Sequence, residues 1–397
     1  MSRKPVTLSA QAGAADWPIR VVPGSESVDL TLVLPTYQEG KSIAEVLERF
    51  AEVMARRPGM SYELIVVDDD SPDLTWKIAT DEAAERYPHV QVIRRLSERG
   101  LATAVVEGWR AGRGERLAVM DADLQHPPDV LLDMLDALTP GVDLVAGSRH
   151  MEGGGVSDWS LRRRIISRGA QLLGLLILPD VVGRVDDPMS GCFVVRREAL
   201  ANCVLRPLGY KILIEVLARA ELRAIREVPY VFCERRDGES KATLGVYADY
   251  VIHLVKLRAE RLRSSPLPKF VVVGFCGLAI DMGLLFLLSD PGMLGWALTP
   301  GKVVAAECAL LNNFIWHERW TFGRRPEGEP RLRGHWRRLL KFQSICTIGM
   351  LLGIALLNLT VHFLGWNRYA ANLAAIGVAS VWNYPLIQKL GWRTTAP

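Results

Sequence analysis

From Val28 onward the chain alternates short apolar runs with amphipathic stretches. Runs at 30–34, 63–67, 90–93, 115–120 and 143–146 have the length and content of buried strands. Between them, 42–54 carries Ile43, Val46, Leu47, Phe50 and Met54 at helical spacing, and 130–138 repeats the pattern behind the start signal Pro127-Pro128. This alternation predicts an α/β fold, a mainly parallel sheet with covering helices. Ligands of such sheets sit beyond the carboxyl ends of the strands, so chemistry is expected in the loops that follow the apolar runs.

Past residue 263 the pattern changes. Ser264-Ser265-Pro266-Leu267-Pro268 reads as a linker, and four long apolar stretches follow at about 269–289, 296–316, 340–363 and 369–388. Each approaches the roughly 20 residues that cross a bilayer core, with the Gly and Ala content of packed membrane helices. Between the second and third lie Arg319, Arg324, Arg325, Arg331, Arg333, Arg337, Arg338 and Lys341, whereas the opposite connections hold almost no basic residues. The positive-inside rule places that segment and both termini in the cytoplasm. The expected organisation is a flexible leader over 1–27, an α/β domain with interfacial helices over 28–263, and an all-α four-span membrane domain over 264–397. Asp281 and Glu307 fall near the middle of the first two spans, where an ionised carboxylate is costly. They are expected to face the bundle interior and either to share a proton or to find a cation, which Lys302 could supply, or to fix packing with Asn312 and Asn313.

Composition narrows the picture. A mean hydropathy of +0.13 beside 23% charged residues suits a soluble unit joined to a membrane unit. A net charge of +4, with Lys and Arg clustered beside apolar stretches, gives no indication of a nucleic-acid partner. The six cysteines form no CxxC pair, which argues against zinc sites and a disulfide framework. Residues 1–27 lack the apolar core of a signal peptide.

The strongest chemical signal is Asp121-Ala122-Asp123-Leu124-Gln125-His126-Pro127-Pro128, directly after an apolar run. Side chains two apart on extended backbone point the same way, so Asp121 and Asp123 can converge on one cation, with the Gln125 amide as a third oxygen donor. Hard oxygen ligands favour Mg2+ or Mn2+ completed by substrate phosphates. Paired acids also occur as solvated charge or helix caps. Two further loops reach the same edge: Pro35-Thr36-Tyr37-Gln38-Glu39, and Val66-Val67-Asp68-Asp69-Asp70-Ser71-Pro72-Asp73. Tyr37 could pack on a base or ribose, and Glu39, Asp68, Asp69 and Asp70 could accept from base N–H groups or sugar hydroxyls. Alternatively these acids cap helices, Ser71 and Asp73 above all. No GxGxxG or Walker A pattern is present, so phosphate binding would rely on the metal. Residues 161–178 begin with Arg162, Arg163 and Arg164 and turn apolar, as an interfacial helix on anionic headgroups would.

The ordered set PTYQE, VVDDDSPD, DADLQHPPD, GSRHMEGG, DPMSGCFVVRR and RRDGESK resembles the dolichol- or polyprenyl-phosphate mannose synthases of glycosyltransferase family 2, over about residues 28–255. The remainder is similar to the GtrA-like membrane domain fused to such enzymes. Gln38 stands where Asn is usual and Leu74 where Gly is usual. The resemblance implies a GT-A-type fold and inverting transfer of a hexose, mannose from GDP-mannose first, to polyprenyl phosphate. UDP-glucose as donor, or a lipid-linked-sugar translocation or partner module, are the alternatives. It assigns Asp121, Asp123 and Gln125 to the metal, and Pro35, Tyr37, Glu39, Asp68, Asp69, Asp70, Asp121, Ala122, Asp123, Arg235, Arg236 and Lys241 to the nucleotide-sugar. It assigns Arg149, Arg163 and Ser167 to the acceptor phosphate, Asp187 and Ser190 to the sugar subsite, and Asp123, Arg149 and Asp187 to catalysis.

Overall fold

Residues 6–8, 27–157, 161–233, 244–322 and 331–387 are described by the structure, a computed structural model. The chain divides into two units, Met1–Arg258 and Ala259–Pro397. In the first, strands β1 (Val6–Leu8), β2 (Val28–Thr36), β3 (Tyr62–Asp68), β4 (Val90–Arg95), β5 (Gly114–Val119) and β6 (Leu144–Ser148) alternate, from β2 on, with helices α1 (Ile43–Ala55), α2 (Thr75–Glu85), α3 (Leu101–Ala111) and α4 (Val130–Ala137). Then come β7 (Gly155–Val156), α5 (Leu161–Ile177), α6 (Pro179–Val182), β8 (Phe193–Arg196), α7 (Ile212–Arg219), β9 (Ile225–Pro229), β10 (Val231–Phe232) and α8 (Leu244–Ser264). The five sequence-predicted strands are present, each within a few residues of its expected bounds.

The sheet runs β1-β4-β3-β2-β5-β8-β6-β9, parallel throughout except β8, which is antiparallel to β5 and β6. Val6–Leu8, inside the expected leader, pairs with β4 at the edge; the rest of 1–26 lies outside the described residues. Period-2 alternation sorts the core into two layers. Leu30, Leu32, Leu34, Leu64 and Val66 pack against Ile43, Leu47 and Phe50 of α1 and Leu131 of α4. Val33, Ile65 and Val67 face Val105 and Trp109 of α3 and Leu213 and Leu217 of α7. Gly108 lets α3 lie close to the sheet, since a Cβ there would stand 2.7 Å from the Val33 methyls.

The second unit consists of α9 (Leu267–Ser289), α10 (Leu298–Trp316), a π-helical turn at His317–Thr321, α11 (Arg331–Leu364) and α12 (Arg368–Leu386). The expected linker shrinks to Ser265 and Pro266 between α8 and α9. Among the described residues, Leu267–Ser289 and His335–Leu364 are long and apolar enough to cross a membrane, with mean hydropathies of 2.4 and 2.0. The remaining two helices are 19 residues each, and α10 carries Lys302 and Glu307. Asp281 finds the expected cation in Lys302, and Glu307 is held by an amide instead. Lys302 Nζ donates to both Asp281 oxygens at 2.7 Å, whereas Glu307 accepts from Gln343 Nε2 at 2.7 Å. Five residues separate Lys302 from Glu307, about 140° around the helix, so they face different neighbours.

Candidate active site

At the carboxyl edge of the sheet the loops after β2 and β3 are fastened to each other. Asp68 accepts from Thr36 Oγ1 (2.8 Å), Ser71 N (2.8 Å) and Ser71 Oγ (2.6 Å). Gln38 N donates to Ser71 Oγ at 2.9 Å, Glu39 N to Thr75 Oγ1 at 3.0 Å, and Gly40 N to Asp73 Oδ2 at 2.9 Å. Asp68 is fully buried in this lattice, so it shapes the loops and does not line the cavity beside them. Asp70 turns outward to Arg94, which stacks on Trp76. Of the three aspartates only Asp69 lines the cavity, accepting from Gly100 N at 2.7 Å and Arg95 Nε at 2.6 Å. Burial raises its pKa against those partners. Neither Ser71 nor Asp73 is the N-cap residue of α2, which is Leu74; Ser71 Oγ donates to Asp68, and Asp73 accepts from Thr75 N at 3.2 Å and Thr75 Oγ1 at 2.6 Å.

That cavity, of about 390 Å³, brings together Pro35, Tyr37 and Glu39 with Asp69, Asp121, Ala122 and Asp123. Arg99 and Tyr210, which the sequence reading did not single out, join them. Arg99 Nη1 donates to the Tyr37 hydroxyl at 3.3 Å and lies over its ring. Ser42 Oγ donates to Ala122 O at 3.1 Å, tying the start of α1 to the DxD loop.

Asp121, Asp123 and His126 each place a ligand atom within 4.8 Å of the others. Gln125 serves the loop itself: its backbone N donates to Asp123 Oδ1 at 3.1 Å and its Nε2 to Cys233 O at 3.0 Å. His126 was visible in the motif but carried no assignment. It is packed against Tyr230 and Phe232, and neither ring nitrogen has a hydrogen-bond partner among the described residues. Burial, with Arg149 and Lys211, pulls its pKa down to about 4, against Asp123 and Asp187. A neutral imidazole keeps one lone pair, and a buried lone pair beside two carboxylates fits a divalent cation. Gly191 approaches this group so closely that a Cβ would stand 2.9 Å from Asp121 Oδ2.

Arg149 and Asp187 form a two-pronged pair, Nε to Oδ2 at 2.6 Å and Nη2 to Oδ1 at 2.8 Å. Burial raises the Asp187 pKa, yet the Arg149 bonds and charge prevail and hold it below the usual carboxylate range. Both Asp187 oxygens accept from Arg149, so this carboxylate holds Arg149 in place, and its lowered pKa makes it a weak base. Ser190 is buried against the Cys192 backbone and does not line the cavity. Lys211, a second cation and half-buried, donates from Nζ to Met189 O at 2.7 Å. Burial and then Arg149 lower its pKa to about 8, while Asp121 and Asp187 oppose. Ser167 lies half-buried on α5; Arg163 is on the same helix with its side chain outside the described residues, as are Arg235, Arg236 and Lys241 altogether.

Residues 31–203 match Glycosyl transferase family 2, and residues 269–392 match GtrA/DPMS, transmembrane domain. The dolichol-phosphate mannosyltransferase of Pyrococcus furiosus is 36% identical over 369 residues, spanning 92% of this chain and 99% of that protein. The chain belongs to the dolichol-phosphate mannosyltransferase family. It is accordingly a glycosyltransferase and a membrane protein. The Saccharomyces cerevisiae dolichol-phosphate mannosyltransferase is 34% identical over 254 residues, 62% of this chain and 92% of that one. A polyprenol monophosphomannose synthase of Mycolicibacterium smegmatis is 34% identical over 239 residues, 58% of this chain and 86% of that one. In a dolichol-phosphate mannosyltransferase the two unusual residues now have a backbone reading. Gln38 and Leu74 both adopt left-handed conformations, φ 57° and 62°, where Asn and Gly are the unstrained choices.

Proposed function

We propose that this chain transfers mannose from GDP-mannose to a polyprenyl phosphate at the cytoplasmic membrane surface, with inversion at the anomeric carbon. The observation that carries this is the single cavity in which the Tyr37–Glu39 loop, Asp69 and the Asp121–Asp123 pair meet, in a chain similar along its length to a dolichol-phosphate mannosyltransferase. Tyr37 and Arg99 form a wall for the base, and Glu39 and Asp69 offer acceptors for sugar or base donors. Mg2+ or Mn2+, held by Asp121, Asp123 and either His126 or the Gln125 oxygen, would offset the charge of the departing nucleoside diphosphate. Arg149 and Lys211 supply positive charge beside this group for an incoming phosphate, and Asp187 keeps Arg149 aimed. A phosphate acceptor is already an anion at neutral pH, so the site needs no general base, which agrees with the lowered pKa of Asp187. Rate enhancement then comes from positioning and charge complementarity.

Two helices of the first unit suit a lipid surface. On α5, Ile165, Leu172 and Leu176 are exposed, the last at 73%, and on α8 so are Ile252 and Val255. Tyr250 Oη donates to Ala170 O at 2.9 Å, holding the two helices side by side. An apolar face of this extent beside Arg168 and Lys256 matches an interfacial pair on anionic lipid. The basic segment after α10 supports a cytoplasmic side for that segment and both termini, on the reading that all four helices of the second unit span the bilayer.

The metal assignment is tested by Mn2+ titration of the purified chain, read by electron paramagnetic resonance beside a transfer assay. Asp123→Ala should lose both Mn2+ binding and transfer at an unchanged melting temperature, and His126→Gln should weaken Mn2+ if the imidazole is a ligand. Retained Mn2+ binding in Asp123→Ala would sink the assignment.

A further inference from the structure

The second unit repeats itself. At a constant spacing of 72 residues, Lys269-Phe270 and Gly277 of α9 recur as Lys341-Phe342 and Gly349 of α11. At a spacing of 70, Ala305, Ala309 and Asn313 of α10 recur as Ala375, Ala379 and Asn383 of α12. The contacts recur with the residues. A Cβ on Gly277 would stand 2.4 Å from the Asn313 carboxamide, and one on Gly349 would stand 2.6 Å from that of Asn383. Leu285 and its equivalent Leu357 are both fully buried. The unit is therefore one helical hairpin used twice.

Between the two copies lies a cavity of about 110 Å³, and its lining comes in equivalent pairs: Phe270 with Phe342, Gly277 with Gly349, Asn313 with Asn383. The same holds for the rest of the lining, Lys302 and Ala375 excepted. Two copies facing one space is what an approximate two-fold rotation through that space produces. In membrane proteins built from repeats, binding sites form at such repeat interfaces. One acid breaks the symmetry. The equivalent of Asp281 is Gly353, and Asp281 is gripped from equivalent positions of both copies, by Lys302 and by Asn372 Nδ2 at 2.9 Å. The ion pair is neutral overall, so the cavity selects neither anions nor cations. Asn383 Oδ1, in the cavity lining, is buried with no hydrogen-bond partner among the described residues, a demand that hydrocarbon cannot meet.

We propose that this axial cavity is a hydrated site, occupied by water and open to neutral hydroxyl-bearing groups no larger than glycerol, with the Asn313 and Asn383 carboxamides as its ligands beside the Asp281–Lys302 pair. Its volume holds about three or four waters at roughly 30 Å³ each. The test uses the full chain in lipid nanodiscs, with Cys276, Cys308 and Cys346 replaced by alanine. Single cysteines are placed at the equivalent positions Ala309 and Ala379 and exposed to silver ion, with modification read peptide by peptide by mass spectrometry. Leu311→Cys and Val378→Cys, on exposed outer faces, are the controls. Ala309→Cys and Ala379→Cys should react at similar rates, about tenfold or more above the controls, because only water carries the ion to them. Glycerol should slow both more than sucrose of equal viscosity. Rates no higher than the controls would make the cavity a dry packing gap, reaction at only one position would end the equivalence, and no difference between glycerol and sucrose would end the hydroxyl site. As a second measurement, Lys302→Asn combined with Asn372→Lys should melt above either single variant, since the cation then reaches Asp281 from the other copy. A double variant no better than the two singles combined overturns the two-fold grip.

Discussion

Leu74 holds a left-handed backbone with its side chain 48% exposed, so it strains the chain while packing little. Relief of that conformation is worth about 1–2 kcal/mol, against about 0.5–1 kcal/mol for the extra freedom of glycine in the unfolded chain. Leu74→Gly should therefore stabilise the first unit by up to about 1 kcal/mol, seen as a rise of about 2–4 °C in its thermal transition. A lower transition would mean that the Leu74 side chain contributes more than its exposure indicates. At Gly191 the sign reverses. Gly191→Ala pushes the Asp121 carboxylate aside, and Mn2+ affinity should fall about tenfold or more with little change in melting. Calorimetric titration of Mn2+ checks this, and unchanged affinity would show that Asp121 can give way freely. Single residues were also where sequence reading was least complete. The acidic triplet Asp68-Asp69-Asp70 looked like three candidate ligands, yet three successive residues at a strand end point three ways, and one alone faces the cavity. His126 and Lys211 have no spacing pattern that marks them, because what sets them apart is burial beside charge.

On helix α7 the buried Glu215 gathers three partners: Arg206 N at 2.6 Å, Arg219 Nε at 2.5 Å and His253 Nε2 of α8 at 2.8 Å. Burial raises its pKa, but the His253 bond, the Arg206 N–H and Arg219 together bring it below the ordinary glutamate range. A carboxylate with a depressed folded pKa stabilises fully above its unfolded pKa, and that contribution is lost as the pH falls through the folded value. His253→Ala should thus cost about 1.5–3 kcal/mol near neutral pH, and the deficit should shrink once the carboxyl is protonated at more acidic pH. Urea midpoints at the two pH values measure it, and a deficit that is constant with pH would assign the loss to packing. Elements themselves were largely legible. The runs at 30–34 and 63–67 are buried on both faces, so their apolar content marks them. Strand β8 was not foreseen as a strand, since its four residues sit inside a motif and periodicity says nothing of direction. The two-residue β7 and β10 are shorter than any period.

The division into two units was legible from hydropathy alone, but the fitness of each helix to span a membrane was not uniform. The polar residues of α10 that dilute its hydropathy include Lys302, Glu307, Asn312 and Asn313, and Lys302 and Asn313 line the cavity. The polar residues that line the cavity thus weaken the spanning signal of their own helix. If residues 323–330 face the cytoplasm, trypsin added to sealed inverted vesicles should cleave at Arg324, Arg325 or nearby. Cleavage only in vesicles of the opposite orientation would reverse the topology.

Purified full-length chain is supplied with GDP-mannose or UDP-glucose, a short polyprenyl phosphate, and Mn2+ or Mg2+ or a chelator, and the lipid product is separated and identified by mass spectrometry. The account predicts polyprenyl-phosphate mannose from GDP-mannose, formed only with a divalent cation and absent in Asp123→Ala. Product from UDP-glucose but not GDP-mannose, or equal turnover with the chelator, would contradict it.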